Sequence, residues 1–279
     1  MGQVLFVVWR ESVEALLVIG ILYAWLRNGD KVARQGLSYL WLGVGLGLLA
    51  AFAFGFALLS FSETLTGEAQ DYFQVVMVWL AAVLIVQMVL WMKYHGRTLK
   101  QGMEASLQKS AQNAQWWGIA LLAALAVARE GSETVIFLYG LGFGKAGYIL
   151  PSHLAGVLIG FSLAFLTVYL LQLGGKLFSW PAFFRVTEVM LLLLAAGLVQ
   201  AGVDKLIDKE LLPSLIDPLW NTSALLDDTG GLGSLLAALT GYRAYPSLMN
   251  VLAYLIYWVV VAGLMKYKKQ RLTAQTQSI

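Results

Sequence analysis

Cysteine is absent from the 279 residues and histidine occurs only twice. The first absence excludes disulfides, thiolate metal sites and cysteine-ligated iron–sulfur clusters, and so few histidines exclude a multi-haem electron carrier. Charge is scarce as well: Asp, Glu, Lys and Arg make up 13% of the chain, about half the share of an ordinary soluble domain. No P-loop pattern occurs, so direct ATP coupling would need another chain. No nucleophile stands beside a convincing base, which argues against an enzyme. What is present is apolar, with 59% hydrophobic side chains and 28 glycines. That composition excludes a soluble enzyme and fits an all-α polytopic membrane protein. The formal net charge of +3 sits in loops and tail, where it sets membrane orientation and does not indicate nucleic acid.

A bilayer core of ~30 Å needs about 20 apolar residues per helix. Apolar runs between breaker and charge clusters mark seven transmembrane stretches, at roughly 4–26, 37–59, 72–92, 116–140, 149–173, 182–203 and 248–265. The first has no basic start or small-residue cleavage site and reads as a retained helix. One side of the membrane collects Arg27, Lys31, Arg34, Lys93, Arg97, Lys100, Lys109, Lys176, Lys266, Lys268, Lys269 and Arg271, whereas the other holds only Lys145, Lys205, Lys209 and Arg243. The positive-inside rule therefore predicts an outside N-terminus, a cytoplasmic C-terminus, and residues 60–71, 141–148 and 204–247 outside.

The chain also repeats itself. Arg10-Glu11-Ser12-Val13-Glu14 returns as Arg129-Glu130-Gly131-Ser132-Glu133, Gly43-xxx-Gly47 as Gly156-xxx-Gly160, and Phe73-Gln74-Val75 as Phe184-Arg185-Val186. Three helices is an odd number, so a second copy must cross in the opposite sense, as in transporters with inverted repeats. This predicts a first three-helix repeat over 1–92, a cytoplasmic linker over 93–115, an inverted second repeat over 116–203, an extracytoplasmic loop over 204–247, and a seventh helix with basic tail over 248–279.

Ionisable groups inside a bilayer cost about 2.5–3.5 kcal/mol each on insertion scales, so they are rare there and mark pathways or paired sites. This sequence places Arg10, Glu11, Glu14, Arg129, Glu130 and Glu133 within apolar runs. At about 100° per residue, the three charges of each motif share roughly 100° of one helix face. Two readings stand. Intrahelical Arg–Glu pairs can act as packing glue, as in an assembly subunit. That accounts for one Glu per Arg and leaves two carboxylates unmatched in hydrocarbon, whereas a bound cation balances all of them. Carboxylate oxygens suit hard cations, without fixing which.

Two R-E-x-x-E motifs in the first and fourth of seven spans resemble the oxidase-dependent iron permease family, part of the iron/lead transporter superfamily, and in particular its bacterial EfeU-type members. The likeness extends to Phe183-Phe184-Arg185, Ala195-Ala196-Gly197-Leu198, Asn221-Thr222-Ser223-Ala224-Leu225-Leu226, Gly241-Tyr242 and Pro246-Ser247. It implies iron import across the bacterial cytoplasmic (inner) membrane, with Glu11, Glu14, Glu130 and Glu133 as metal ligands supported by Arg10 and Arg129. It implies iron as transported substrate rather than permanent cofactor, and extracytoplasmic partners that bind or oxidise iron, of peroxidase or cupredoxin type. Lead and manganese are the alternative cargoes. Relatives often open the third helix with an E-x-x-E pair where this chain has Asp71 and Gln74, a candidate loading point with one carboxylate. Ser12 stands where glycine is common, whereas Gly131 keeps it. Glu188 either pairs with Arg185 three residues earlier or serves as a relay on the pathway.

Met88 and Met92, one turn apart, read as packing. His95 and His153 read as solvated or interfacial residues. Trp116, Trp117, Trp220 and Trp258 fall near span ends, as belt aromatics do. Leu232–Leu239 is too short to span and is predicted as an interfacial or re-entrant helix. The acids Asp204, Asp208, Glu210, Asp217, Asp227 and Asp228 beside it either solvate the loop or collect cations. Residues 93–115 are predicted to extend the third helix along the anionic leaflet.

Overall fold

The computed structural model describes residues 2–29, 31, 33–112, 116–142, 151–173, 180–228 and 231–277. Regular structure among them is entirely helical: α1 Gly2–Asn28, a 3-10 turn Ala33–Gln35, α2 Gly36–Thr64, α3 Glu68–Gln112, α4 Trp117–Gly140, α5 Pro151–Leu173, α6 Trp180–Asp208, α7 Gly231–Thr240 and α8 Leu248–Gln277. Five segments are long and apolar enough to cross a bilayer: Ala33–Thr64, Glu68–Lys93, His153–Leu170, Arg185–Asp208 and Leu248–Lys268. The chain is thus a multi-pass helical membrane protein. At 27 and 24 residues α1 and α4 are also long enough, but each carries an R-E-x-x-E motif in mid-helix, which separates them from the five.

The helices follow the apolar runs closely, and α3 carries the extension expected beyond its run. α3 is 45 residues long because the apolar run ends near Lys93 while the good helix formers beyond it continue the helix. Lys145 and Lys176 from the charge count lie outside the described residues, as do the side chains of His95, Arg97, Lys100, Glu104 and Lys109.

Two compact units are present. The first comprises Met1–Met77 and Trp91–Thr187. Within it α2 and α4 pack side by side in parallel, and small residues set their spacing. A β-carbon on Gly43 would overlap the Ala120 carbonyl, one on Gly47 would lie 2.7 Å from both the Ala124 oxygen and Val127 Cβ, and one on Gly131 would lie 2.5 Å from Ala51 Cβ. Such close approach is what small residues permit between membrane helices. Further along, the Ser62 and Tyr139 hydroxyls hydrogen-bond, and Phe73 meets the Tyr139 ring edge-on. α1 and α5 form a second parallel pair. Gly160 sits where a β-carbon would be 2.7 Å from the Leu5 oxygen and 3.2 Å from Val8 Cβ, Val13 packs with Ala164, and Trp9 Nε1 donates to Thr167 Oγ1 at 2.9 Å.

Leu22 and Leu26 of α1 pack with Leu40 of α2 and with Trp116, Ile119 and Ala123. Trp116 therefore departs from its predicted belt position: it is buried over Gly36, while Trp117 is exposed and meets Tyr39 edge-on. The α1–α2 connection is short and returns the chain, so α1 runs opposite to α2. With α4 parallel to α2, the two R-E-x-x-E helices run in opposite directions.

The second unit comprises Val78–Leu90 and Glu188–Ile279. Leu191, Leu194, Ala195 and Ala196 of α6 are fully buried, and Tyr257 of α8 donates to the Leu192 carbonyl at 2.7 Å. The long loop is tied down rather than loosely solvated. Leu219 N–H donates to Pro246 O and Thr222 N–H to Ala244 O, Arg243 reaches Asp204 at 2.7 Å, and Asn250 Nδ2 donates to the other Asp204 oxygen at 2.7 Å. Two of the loop acids hold the loop in place, since Asp228 also accepts from Ala244 N–H. Gly241, at φ +74°, approaches the backbone of Gly197, where a β-carbon would lie 3.0 Å from its Cα. Gly241→Ala combines a strained φ with a backbone contact, so a loss of about 1–3 kcal/mol is expected. A thermal midpoint in detergent unchanged from wild type would contradict this.

Candidate functional site

The first unit brings both R-E-x-x-E motifs into its interior. No water reaches hydrocarbon, so each polar atom there must find a partner in the protein, a ligand or a local aqueous space. Arg10 and Glu11 are each 1% exposed. Arg10 Nη1 lies 2.8 Å from Glu11 Oε1, and Nη2 pairs with Glu14 across one helical turn. The Met92 thioether lies 3.7 Å from the same Nη2. On α4, Arg129 Nε donates to Glu133 Oε1 at 2.9 Å and lies 4.0 Å from Glu130 Oε1. Its guanidinium sits 4.9 Å from the centre of the Trp91 ring. Ser132 and Thr134 hydroxyls donate back to the Arg129 and Glu130 carbonyls, so these two hydroxyls are satisfied within their own helix.

Glu11, Glu14 and Glu130 each offer a carboxylate oxygen, and these atoms lie within 4.8 Å of one another. Oxygens on opposite sides of a hard cation with bonds of about 2.1–2.5 Å are roughly 4–5 Å apart, so small side-chain adjustments would close this set on an ion. Glu11 Oε2, Glu130 Oε2 and Glu133 Oε2 are buried and accept no hydrogen bond among the described residues. Two arginines and four carboxylates leave a formal charge of −2 when all are ionised, which favours a cation. The arrangement can bind and release an ion.

The remaining candidates sit elsewhere. Asp71 is exposed and Gln74 half-buried in the first turns of α3. Neighbouring Phe73 touches Tyr139, which is six residues, or about 9 Å, beyond Glu133 along α4. Glu188 is half-buried on α6, three residues after exposed Arg185. Met88 is buried, as packing predicts. Trp91 and Met92, which touch the two arginines, were not singled out from sequence as site residues. An aromatic and a methionine in an apolar helix carry no sequence signal beyond packing.

A multi-pass helical membrane protein that keeps six ionisable side chains among its helices has the build of a membrane transport protein. The chain belongs to the Iron permease FTR1 family, whose profile matches residues 1–270. It is 28% identical over 256 residues to the ferrous iron permease EfeU of Escherichia coli O157:H7, covering 90% of each chain. Against the ferrous iron permease EfeU of Yersinia pestis the figures are 24% over 255 residues, 91% of this chain and 89% of the relative. These relatives are permeases, not enzymes. No solved structure matches.

Proposed function

We propose that the protein imports iron into the cytoplasm through a site built from Glu11, Glu14, Glu130 and Glu133, with Arg10 and Arg129 as built-in counter-charges. The observation that carries this reading is the convergence of three carboxylates from α1 and α4, with acceptor oxygens left unbonded, in a chain whose relatives are named ferrous iron permeases. Salt-bridge glue accounts for Arg10 with its two partners but leaves Glu130 Oε2 and Glu133 Oε2 without donors. Lead and manganese remain the cargo alternatives that an uptake assay separates.

α1 and α4 then bring the number of spans to seven. The inverted repeat draws support from matched contacts. Gly47 meets the Ala124 oxygen and Val127 Cβ, while Gly160 meets the Leu5 oxygen and Val8 Cβ. Adding the 119-residue offset of the charged motifs to 5 and 8 gives 124 and 127, so both crossings use the same positions. In this reading residues 1–92 and 116–203 are the two repeats, 93–115 is a cytoplasmic linker along the membrane surface, 204–247 is the outer loop, and 248–279 adds a seventh helix and basic tail. The charge count argues for an outside N-terminus and a cytoplasmic C-terminus, and the bacterial relatives argue for an inner membrane. An inside-negative potential then favours import by ~2.3 kcal/mol per charge per 100 mV. Asp71 and Gln74 stand at the outer end of the path, Glu188 is a candidate relay, and extracytoplasmic peroxidase or cupredoxin-type proteins are the proposed suppliers of iron.

The test is radioactive iron uptake into proteoliposomes under an inside-negative potential, with Fe(II) and Fe(III) supplied separately. Wild type is expected to accumulate iron, and Glu14→Ala and Glu133→Ala each to lose at least about tenfold, since one lost ligand removes a few kcal/mol of binding. Undiminished uptake by either variant would sink the proposed site.

A further inference from the structure

The two motifs are alike in sequence but not in setting. Arg10 is 1% exposed, bridges Glu11 and Glu14, and is closed over by Met92. Arg129 has a side chain 43% exposed, makes its closest ion pair through Nε to Glu133, and lies against the face of Trp91. A guanidinium turned toward hydrocarbon is unfavourable, so on energetic grounds the exposed side of Arg129 would open on water. We infer that Arg129 is the exchangeable counter-ion of the site and that Trp91 is its seat, whereas Arg10 is a fixed one. A cation arriving at the carboxylates displaces Arg129 from Glu133, and the displaced guanidinium remains held by the electron-rich face of Trp91 rather than being stranded. Arg10 stays, because it holds two carboxylates at once and has no aqueous side to move into. Local charge at the carboxylates becomes more negative as Arg129 leaves, which tightens the grip on the ion until Arg129 returns. Trp91 is a positioning residue here, acting through Arg129. The inference rests on the carboxylate site proposed above.

The experiment uses the full chain in lipid nanodiscs, labelled with the arginine reagent phenylglyoxal and read by peptide mass spectrometry. Without metal, Arg129 is expected to label at least about tenfold faster than Arg10. Anaerobic Fe(II) is expected to raise the Arg129 rate several-fold, leave Arg10 protected, and shield Glu11, Glu14 and Glu130 from carbodiimide. In proteoliposomes Trp91→Leu is expected to raise the KM for iron about two- to fivefold, the scale of a solvent-exposed cation–π contact, with little change in maximal rate. Trp91→Phe keeps an aromatic face and is expected to restore most of that loss, which a merely space-filling role would not require. Equal labelling of the two arginines without metal overturns the inference whatever the variants do. Carboxylate shielding by Fe(II) with no change at Arg129 overturns the inference alone. No shielding of any carboxylate overturns the proposed site, and the inference with it.

Discussion

Arg10→Ala is expected to yield little or no folded protein, and this is among the largest single-residue effects in the chain. Arg10 and Glu11 are each 1% exposed, and Glu14 pairs with the same guanidinium. Removing one partner of a buried ion pair strands the other, at about 3–5 kcal/mol. Here two carboxylates are stranded, against a total stability of roughly 5–15 kcal/mol. Adding Glu11→Gln and Glu14→Gln to Arg10→Ala removes the stranded charges and is expected to recover a monodisperse protein that does not transport. Arg129→Ala is expected to fold, because the Arg129 side chain is 43% exposed and makes one close ion pair, to Glu133 at 2.9 Å. Size-exclusion profiles and thermal midpoints of these variants decide the matter. An Arg10→Ala protein as stable as Arg129→Ala would show that the buried pair contributes nothing to folding.

Gly43→Leu is expected to disrupt the α2–α4 pair, whereas Gly45→Leu, two residues away on the same helix, is expected to be silent. A β-carbon at Gly43 would overlap the Ala120 carbonyl, and main chain cannot swing aside as a side chain can. The helices must separate, losing packing at Gly47 and Ala51 as well, so the cost exceeds the ordinary 1–3 kcal/mol of overpacking. At Gly45 an added β-carbon meets nothing within 4 Å, and an exposed apolar side chain on a lipid-facing helix is within about ±0.5 kcal/mol. Thermal unfolding in detergent, run on both variants together, separates close packing from a general intolerance of bulk. Equal behaviour of the two would refute the crossing.

The helices were legible because apolar runs of membrane length admit few other structures, and the expected stretches 4–26 and 37–59 fall inside α1 and α2. The extension of the third helix past its apolar run was legible too, though not from hydropathy. Hydropathy marks where the bilayer ends, not where hydrogen bonding ends, and α3 continues to Gln112. The charged motifs stood out because their cost in hydrocarbon makes each such residue informative. Trp91 and Met92 did not stand out as site residues, since their contacts with Arg129 and Arg10 depend on how that stretch of α3 lies against α1 and α4. Trp116 shows the same limit: its place near a span end predicts a belt residue, but which way it faces is decided by the gap above Gly36. Gly241 could have been suspected as a left-handed position, though not that it opposes Gly197.

The parallel pairs also set an order of assembly during synthesis. α1 leaves the ribosome well before the helix it packs along, α5, which ends only at Leu173. At about 5–20 residues per second, α1 with its three charges waits roughly seven to thirty seconds for that partner. A nascent chain cut before α5 therefore presents an incompletely packed α1 to the insertion and quality-control machinery. Fragments of the two halves, produced separately, should each be short-lived until they meet.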